Sequence, residues 1–281
     1  MLKPVALFRL PVVVLSASGL VLAACQKDEP PPPPATPAAS GEPEPSAAAA
    51  SLVTPTLGRA EILSAIARAA NAYAAGTPPE GQDPLVGRTF SVQLAFGCSG
   101  PETPPNGTSG DGKGAWSWDE ARETIRLRLT PGDWTGSALI SGATEGQWEA
   151  VEGFWITRPW LTAEGCPAVR ADPLAAGPAT ASPEAAGLAA VFETGSSRLG
   201  RRNGRAYTYT VRPTGDEPVT PPRNGYRVRL EGRISAFPSG RAVHCRAAGP
   251  DQRPVCVAAV QMDRVAFMTA EGATLGEWRP G

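Results

Sequence analysis

Histidine is almost absent from this chain of 281 residues, which contains only His244. One imidazole excludes catalytic schemes that need two histidines, and it excludes most histidine-rich metal sites. The sequence also lacks a G-x-S-x-G nucleophile elbow, a phosphate-binding glycine loop and a dinucleotide fingerprint. We therefore expect no cofactor, and no motif assigns the chain to an enzyme class.

An excess of charge is absent as well, because 26 Lys and Arg residues face 27 Asp and Glu residues. Nucleic-acid binding depends on clustered positive charge, so no nucleic-acid partner is expected. Beyond Cys25, no apolar run reaches the roughly 18 residues that indicate a membrane-spanning helix. Glycine and proline are abundant instead, with 31 residues each, which predicts long loops or a disordered segment.

The N-terminal segment has the layout of an export signal. Lys3 and Arg9 form a short basic region, and an apolar stretch from Leu10 to Ala24 follows it. This stretch is too short to span a hydrocarbon core of ~30 Å comfortably. Its end, Leu22-Ala23-Ala24-Cys25, resembles the lipobox of bacterial lipoproteins.

This resemblance implies that the Cys25 thiol carries diacylglycerol, that residues 1–24 are removed, and that the new N-terminus is acylated. Two or three acyl chains hold a protein stably on a membrane without a transmembrane helix. Gln26 stands where an Asp retains many such lipoproteins in the inner membrane, which implies the outer membrane, facing the periplasm. The alternatives are an ordinary secretory signal cut after Ala24, or a chance cysteine.

Residues 25–55 are predicted to form a disordered tether behind the lipidated cysteine. The segment is rich in Pro and Ala, Pro30 to Pro34 are consecutive, and no aromatic residue occurs that would build a core. At ~3.1 Å per residue in polyproline II, about 30 residues reach up to about 90 Å. The segment is either a spacer that extends the body away from the membrane or a linker of no particular length.

An amphipathic helix is predicted at the start of the globular body, which we place at residues 56–281. Between Leu57 and Ala75, apolar residues recur at spacings of three and four, namely Ile62, Ile66, Ala69, Ala70 and Tyr73. Thr56 is the expected N-cap, and Gly76 supplies the stop. We expect one face of this helix to pack on the body; the alternative is a helix that binds a partner.

The rest of the body is predicted to be mainly β. Apolar residues alternate with polar ones over 90–96, 125–130 and 226–234, as in half-buried strands. Further candidate strands are residues 151–157, 188–194, 205–212, 254–260 and 263–268. Short strands separated by Gly and Pro predict an antiparallel sandwich or barrel.

Two features bear on how these strands are connected. Asn203-Gly204 predicts a hairpin that joins residues 188–198 to 205–212. A loop-like stretch, residues 171–187, leaves open whether the body is one β domain or two subdomains, 56–170 and 188–281.

Four cysteines remain once Cys25 is assigned to lipid, namely Cys98, Cys166, Cys245 and Cys256. An even number in an exported chain predicts disulfides, and four cysteines allow three pairings. Cys245 and Cys256 lie on adjacent predicted strands joined by a turn, so we pair them with each other and pair Cys98 with Cys166. A metal site of four thiolates is disfavoured because no C-x-x-C spacing occurs.

Candidate catalytic residues are few. His244 precedes Cys245, but neighbouring strand residues point to opposite faces, and an oxidised cysteine offers no thiolate. Asp119, Glu120 and Glu123 lie close in sequence beside two tryptophans, and a glycosidase needs two nearby carboxylates. The other interpretation of these three is a solvated, charged turn.

Candidate binding residues are aromatic or basic. Most of the seven tryptophans fall within residues 116–160, and Trp116 and Trp118 would share one strand face that is able to stack on sugars. The alternative is that both tryptophans are core residues. Four arginines surround the Asn203-Gly204 turn, namely Arg198, Arg201, Arg202 and Arg205. They would either bind phosphate on an anionic lipid or lie solvated at a strand edge.

The sequence therefore predicts a lipid-anchored protein of the cell envelope whose β-rich body is stapled by disulfides. Its expected role is non-catalytic binding or scaffolding toward an envelope protein or a glycan. The alternative is an envelope hydrolase that acts on glycan or peptide with carboxylates as acid and base.

Overall fold

The computed structural model describes residues 54–102, 110–143, 147–168, 184–195 and 200–279. The predicted signal, Cys25 and nearly all of the predicted tether lie outside these ranges. The described residues form one helix, α1 (Arg59–Ala74), and the following strands: β1 (Thr89–Phe96), β2 (Gly114–Asp119), β3 (Thr124–Leu129), β4 (Gly132–Asp133), β5 (Trp148–Trp155), β6 (Ala186–Glu193), β7 (Tyr207–Val211), β8 (Tyr226–Ile234), β9 (Val243–Arg246), β10 (Val255–Thr269) and β11 (Thr274–Trp278). None of the described helical structure is long and apolar enough to cross a membrane.

The predicted helix forms, but it begins later than expected. Leu57 pairs with Phe90 as a β-bridge, and its N–H donates to the Thr89 carbonyl oxygen at 2.9 Å. The chain is therefore still extended at Leu57, and Gly58 is the N-cap in place of Thr56. Glu61 accepts the Gly58 N–H at 3.0 Å, which satisfies one of the free donors at the helix start.

Helix α1 docks on the sheet, as predicted for its apolar face. Ile62 and Ile66 are buried in the main core, whereas Tyr73 is exposed. The Arg59 side chain is also buried and donates to three carbonyl oxygens, those of Thr157, Arg158 and Leu161. Burial lowers the pKa of Arg59 to about 10. This arginine fastens the first turn of the helix to the loop that follows β5.

The fold class is confirmed: the body is mainly β, with two sheets packed together and one helix. The larger sheet has eight strands in the order β1-β8-β10-β6-β5-β4, with β9 and β11 also paired to β10. Its ladders are antiparallel except for one, since β6 runs parallel to β10. The two candidate strands at 254–260 and 263–268 are one long strand, β10, with a bulge between Met262 and Arg264.

The smaller sheet consists of β2, β3 and β7. Its inner face contributes Ile125, Leu127 and Tyr207 to the core that it shares with the larger sheet. Because β7 pairs with β3, and β6 pairs with β5 and β10, the predicted hairpin between β6 and β7 is wrong. The Asn203-Gly204 turn does form, with positive φ at both residues. The strands that flank this turn pair in different sheets, because local turn geometry does not determine which strands pair.

Strands from both halves of the body pair with each other in the larger sheet. β1 pairs with β8, and β5 pairs with β6, so residues from 56–170 and 188–281 share one core. Most of the loop-like stretch at 171–187 lies outside the described residues.

The two predicted disulfides are both formed, Cys98–Cys166 and Cys245–Cys256. Cys245 and Cys256 lie directly opposite each other in the β9–β10 ladder. Cys98 follows β1 and Cys166 lies in the loop after β5, 68 residues apart in the chain. All four thiols outside the signal region are therefore consumed, and no cluster of His, Cys, Asp or Glu in the described ranges is suited to a metal ion.

Candidate functional site

The long strand β10 has an unpaired interval that opens a cavity in the larger sheet. Along one edge of β10, β6 pairs with Cys256–Val260 and β11 pairs with Val265–Met268. The other edge is covered by β9 and β8. Neither β6 nor β11 pairs with residues 261–264, where the bulge lies. Bulges disrupt a ladder and redirect side chains, and they are common beside binding sites.

A cavity of about 310 Å³ occupies this fork between β6 and β11. Its lining comes from both sheets and from the turn before β7, and it contains five arginines, namely Arg201, Arg202, Arg205, Arg264 and Arg279. One carboxylate, that of Glu152, also lines it. The apolar part of the wall includes Phe192, Met262, Val265, Tyr207 and Trp278.

Glu152 positions the turn that carries two of these arginines. Its side chain is only 6% exposed, and its Oε1 accepts the backbone N–H groups of Arg202 at 2.7 Å and Asn203 at 2.8 Å. Burial raises the pKa of this carboxyl, and the two N–H donors act in the opposite direction. The buried carboxylate therefore serves as a fixed acceptor under the arginine turn.

Three of the cavity arginines form ion pairs with carboxylates. Arg264 forms ion pairs with Glu231 at 3.0 Å and with Glu277 at 2.5 Å, and Arg279 contacts Glu277 at 3.2 Å. Arg201 contacts Glu149 at 3.3 Å. These pairs fix the positions of the three guanidinium groups, and Arg264 and Arg279 share the Glu277 carboxylate.

Arg202 and Arg205 differ, because among the described residues no carboxylate forms an ion pair with either guanidinium. The Arg202 side chain donates to the carbonyl oxygens of Arg205 and Ala206 and lies 4.5 Å from the centre of the Tyr207 ring. Arg205 donates to the Arg202 carbonyl oxygen at 3.2 Å. Carbonyl contacts and a cation–π contact orient these side chains, and the Glu152 carboxylate interacts with the charge of Arg202.

Aromatic rings pack against one another along the wall of the cavity. The Tyr207 and Trp278 rings meet edge to face at 5.3 Å, and Trp278 meets Phe267 at 5.5 Å. Burial raises the pKa of Tyr207 to about 12, so its hydroxyl stays protonated at neutral pH. The cavity thus combines an aromatic wall with an excess of arginines over carboxylates.

The predicted sugar-stacking pair is largely unavailable to a ligand. Trp116 is 2% exposed, its Nε1 lies 3.4 Å from the Gly97 carbonyl oxygen, and its ring packs against Tyr226. Trp118 is half-buried and packs on the same core. The tryptophan that is exposed is Trp160, at 58%, in the loop that Arg59 holds. The interpretation of Trp116 as a core residue therefore agrees with the geometry.

The candidate acid–base residues occupy the β2–β3 turn and do not face the cavity. Glu120 and Glu123 are exposed, and Asp119 pairs with Arg122 at 2.8 Å. The hydrogen bond from Arg122 lowers the pKa of Asp119, which is the opposite of what a general acid requires. His244 is half-buried beside Phe237, and Cys245 next to it is oxidised, so these two do not form a nucleophilic pair.

The sequence interpretation identified part of this cavity and missed the rest. Arg201, Arg202 and Arg205 are among the predicted binding residues and line the cavity, while Arg198 lies outside the described residues. The sequence pattern does not identify Arg264 and Arg279 as binding residues. The available signal was Asp263-Arg264, a charged pair that interrupts a long apolar run.

The fold and the cavity define a disulfide-stapled β protein with an arginine-lined cavity at the fork between β6 and β11. No family model, no curated protein and no solved structure matches this chain.

Proposed function

We propose that this chain is a lipid-anchored cell-envelope protein whose β body binds a ligand or partner and does not catalyse a reaction. Lipid on Cys25 would hold it on the outer membrane, facing the periplasm, and residues 25–55 would extend the body from that surface. The signal-like residues 1–24, the lipobox and the two disulfides together support an envelope location.

The observation that carries the binding role is the cavity at the β6–β11 fork. Five arginines and one carboxylate line this cavity beside an aromatic wall, an arrangement suited to holding an anion. The hydrolase alternative has weaker support, because its carboxylates lie in an exposed turn with Asp119 held by Arg122. A glycan partner would use Trp160 or the cavity wall, since Trp116 is buried.

The anchor is tested by membrane fractionation of the full chain in a Gram-negative host. Cys25→Ser should move the protein from the membrane to the soluble fraction, because it removes the thiol that takes the lipid. Gln26→Asp is the matched control: it keeps the thiol, so the protein should stay membrane-bound and shift toward the inner-membrane density. Continued membrane association of Cys25→Ser would refute the anchor.

The non-catalytic role is tested with the same purified chain. Incubation with peptidoglycan and with an unfolded protein substrate should release no soluble fragments above a buffer control. Release that Asp119→Asn or Glu123→Gln abolishes would instead establish the hydrolase.

A further inference from the structure

We propose that the cavity at the β6–β11 fork binds an organic phosphate monoester, with its phosphate on Arg202 and Arg205 and its organic part against Trp278. This inference rests on the proposed binding function and names the class of ligand. The positive and negative charges around the cavity are unevenly distributed.

The count of uncompensated charges favours a dianion. Arg205 has no carboxylate partner among the described residues, and three arginines share the two carboxylates of Glu231 and Glu277, namely Arg229, Arg264 and Arg279. Arg201 pairs with Glu149, and the Glu152 carboxylate interacts with the charge of Arg202. A carboxylate or a sulfate ester brings one negative charge to two guanidinium groups. A phosphate monoester brings about 1.5 to 2 negative charges at neutral pH and so offsets more of the excess positive charge.

The hydrogen-bond geometry points the same way. A guanidinium group presents a planar fork of donors, and phosphate accepts such forks in a bidentate manner. Arg202 and Arg205 belong to one turn, held from below by the bonds from its backbone to Glu152. The turn is thus oriented before any ligand arrives, which lowers the entropy cost of binding.

The rest of the cavity favours an ester over inorganic phosphate. Phe192, Met262, Val265 and Trp278 form an apolar wall next to the arginines, and the volume of about 310 Å³ exceeds that of a bare phosphate ion. An organic group bonded to the phosphate would cover this wall and gain hydrophobic contact. Such a ligand has two sources, a soluble phosphate monoester or the headgroup of a lipid.

The test measures binding to the full-length protein in nonionic detergent by isothermal titration calorimetry. Phenyl phosphate supplies the dianion with a ring, phenyl sulfate supplies a monoanion of the same shape, and inorganic phosphate supplies the dianion without the ring. At about pH 8, where the monoester is fully dianionic, we expect phenyl phosphate to bind at least about tenfold more tightly than either of the others. Its affinity should fall below about pH 6 as the phosphate gains a proton.

Variants test where the probe binds. Arg205→Gln should weaken phenyl phosphate binding at least about tenfold, and Arg205→Lys should weaken it less because the charge remains but the fork is lost. Arg233→Gln is the matched control, since Arg233 is exposed on β8 and does not line the cavity. It should change the affinity by less than about twofold. The circular dichroism spectrum of each variant is compared with that of the wild type, so that a loss of folding is distinguished from a loss of binding.

Competition distinguishes the two sources of the phosphate. Glucose 6-phosphate and mixed micelles containing phosphatidic acid are each titrated against bound phenyl phosphate, with phosphatidylcholine micelles as the control. Displacement by the sugar phosphate supports a soluble ligand, and displacement by phosphatidic acid alone supports a lipid headgroup. Either result supports a phosphate monoester.

Three results would overturn the proposal: equal affinity for phenyl sulfate and phenyl phosphate, an unchanged affinity in Arg205→Gln, or no binding of any phosphate monoester. If phenyl sulfate and phenyl phosphate bind equally tightly and Arg205→Gln abolishes the binding of both, the cavity binds anions but is not specific for phosphate monoesters. The envelope anchor does not depend on any of these outcomes, because Cys25→Ser fractionation tests it separately.

Discussion

The carboxylate of Glu152 and the backbone N–H of Asn203 are 2.8 Å apart, which joins the centre of β5 to the turn that precedes β7. The same oxygen also accepts the N–H of Arg202 at 2.7 Å. Glu152 belongs to the larger sheet and β7 to the smaller one, so this contact links the two sheets at the cavity. A buried acid thus positions the turn that carries Arg202 and Arg205.

Removing that acceptor should destabilise the fold. Glu152→Ala leaves two backbone N–H groups without a partner, and we expect a loss of about 3 kcal/mol in the free energy of unfolding. Glu152→Gln keeps an acceptor oxygen in place and should lose about 1 kcal/mol. Urea denaturation followed by circular dichroism measures both values. Equal stability of the alanine variant and the wild type would contradict the role assigned to Glu152.

The raised pKa of Glu152 predicts a pH dependence of stability with a definite sign. An acid whose pKa is higher in the folded state than in the unfolded state binds protons more readily when folded. Its contribution to stability therefore grows as the pH falls from above the folded pKa toward the unfolded value of about 4.3.

Glu152→Gln removes this contribution and serves as the reference. The difference in unfolding free energy between wild type and Glu152→Gln should shift in favour of wild type between pH 7 and about pH 4.5. Urea titrations across that range measure it. A shift in favour of the variant as the pH falls would show that the folded-state pKa is lowered.

Residues with a local pattern were predictable. Alternating burial at Val92, Leu94 and Leu127 follows from a strand with one face in the core. The sequence shows the same alternation of apolar and polar residues. Cys245 and Cys256 were paired correctly because a short turn between two strands places them opposite each other. Such features depend on neighbours close in the chain.

The cavity was not predictable in the same way. It exists because β6 and β11 pair with different parts of the same edge of β10, and this pairing joins residues that are distant in sequence. Trp278 and Tyr207 form its wall only after both sheets assemble. The Asn203-Gly204 turn was recognised from its residues, yet the partners of its flanking strands are decided by packing against the core.

The two disulfides should contribute unequally to stability. Cys98–Cys166 joins residues 68 apart and Cys245–Cys256 residues 11 apart, so the first constrains the unfolded chain more. Loop-closure entropy predicts about 4 kcal/mol for the first and about 3 kcal/mol for the second. Paired Cys→Ala variants, compared by denaturation, test this order. Peptide mapping without reductant provides the control, since it should recover both cross-linked peptides from the wild type.

The tryptophans should separate into buried and accessible classes. Trp160 is 58% exposed and Trp116 is 2% exposed, so acrylamide quenches the first and not the second. Trp160→Phe should therefore remove a large part of the quenchable emission and change stability by less than about 0.5 kcal/mol. Trp116→Phe should leave the quenchable emission intact. Substantial loss of quenching in Trp116→Phe would show that the ring is open to ligands after all.

Arg59 should be more sensitive to conservative change than an exposed arginine of the same helix. Its guanidinium donates to the carbonyl oxygens of Thr157, Arg158 and Leu161, which a single ammonium group cannot reach in the same geometry. Arg59→Lys should therefore cost about 2 kcal/mol and speed amide hydrogen exchange in α1. Arg68→Lys is the matched control, because Arg68 is exposed and contacts only Ser64 within the helix. Equal exchange rates in the two variants would mean that the helix is held by its apolar face alone.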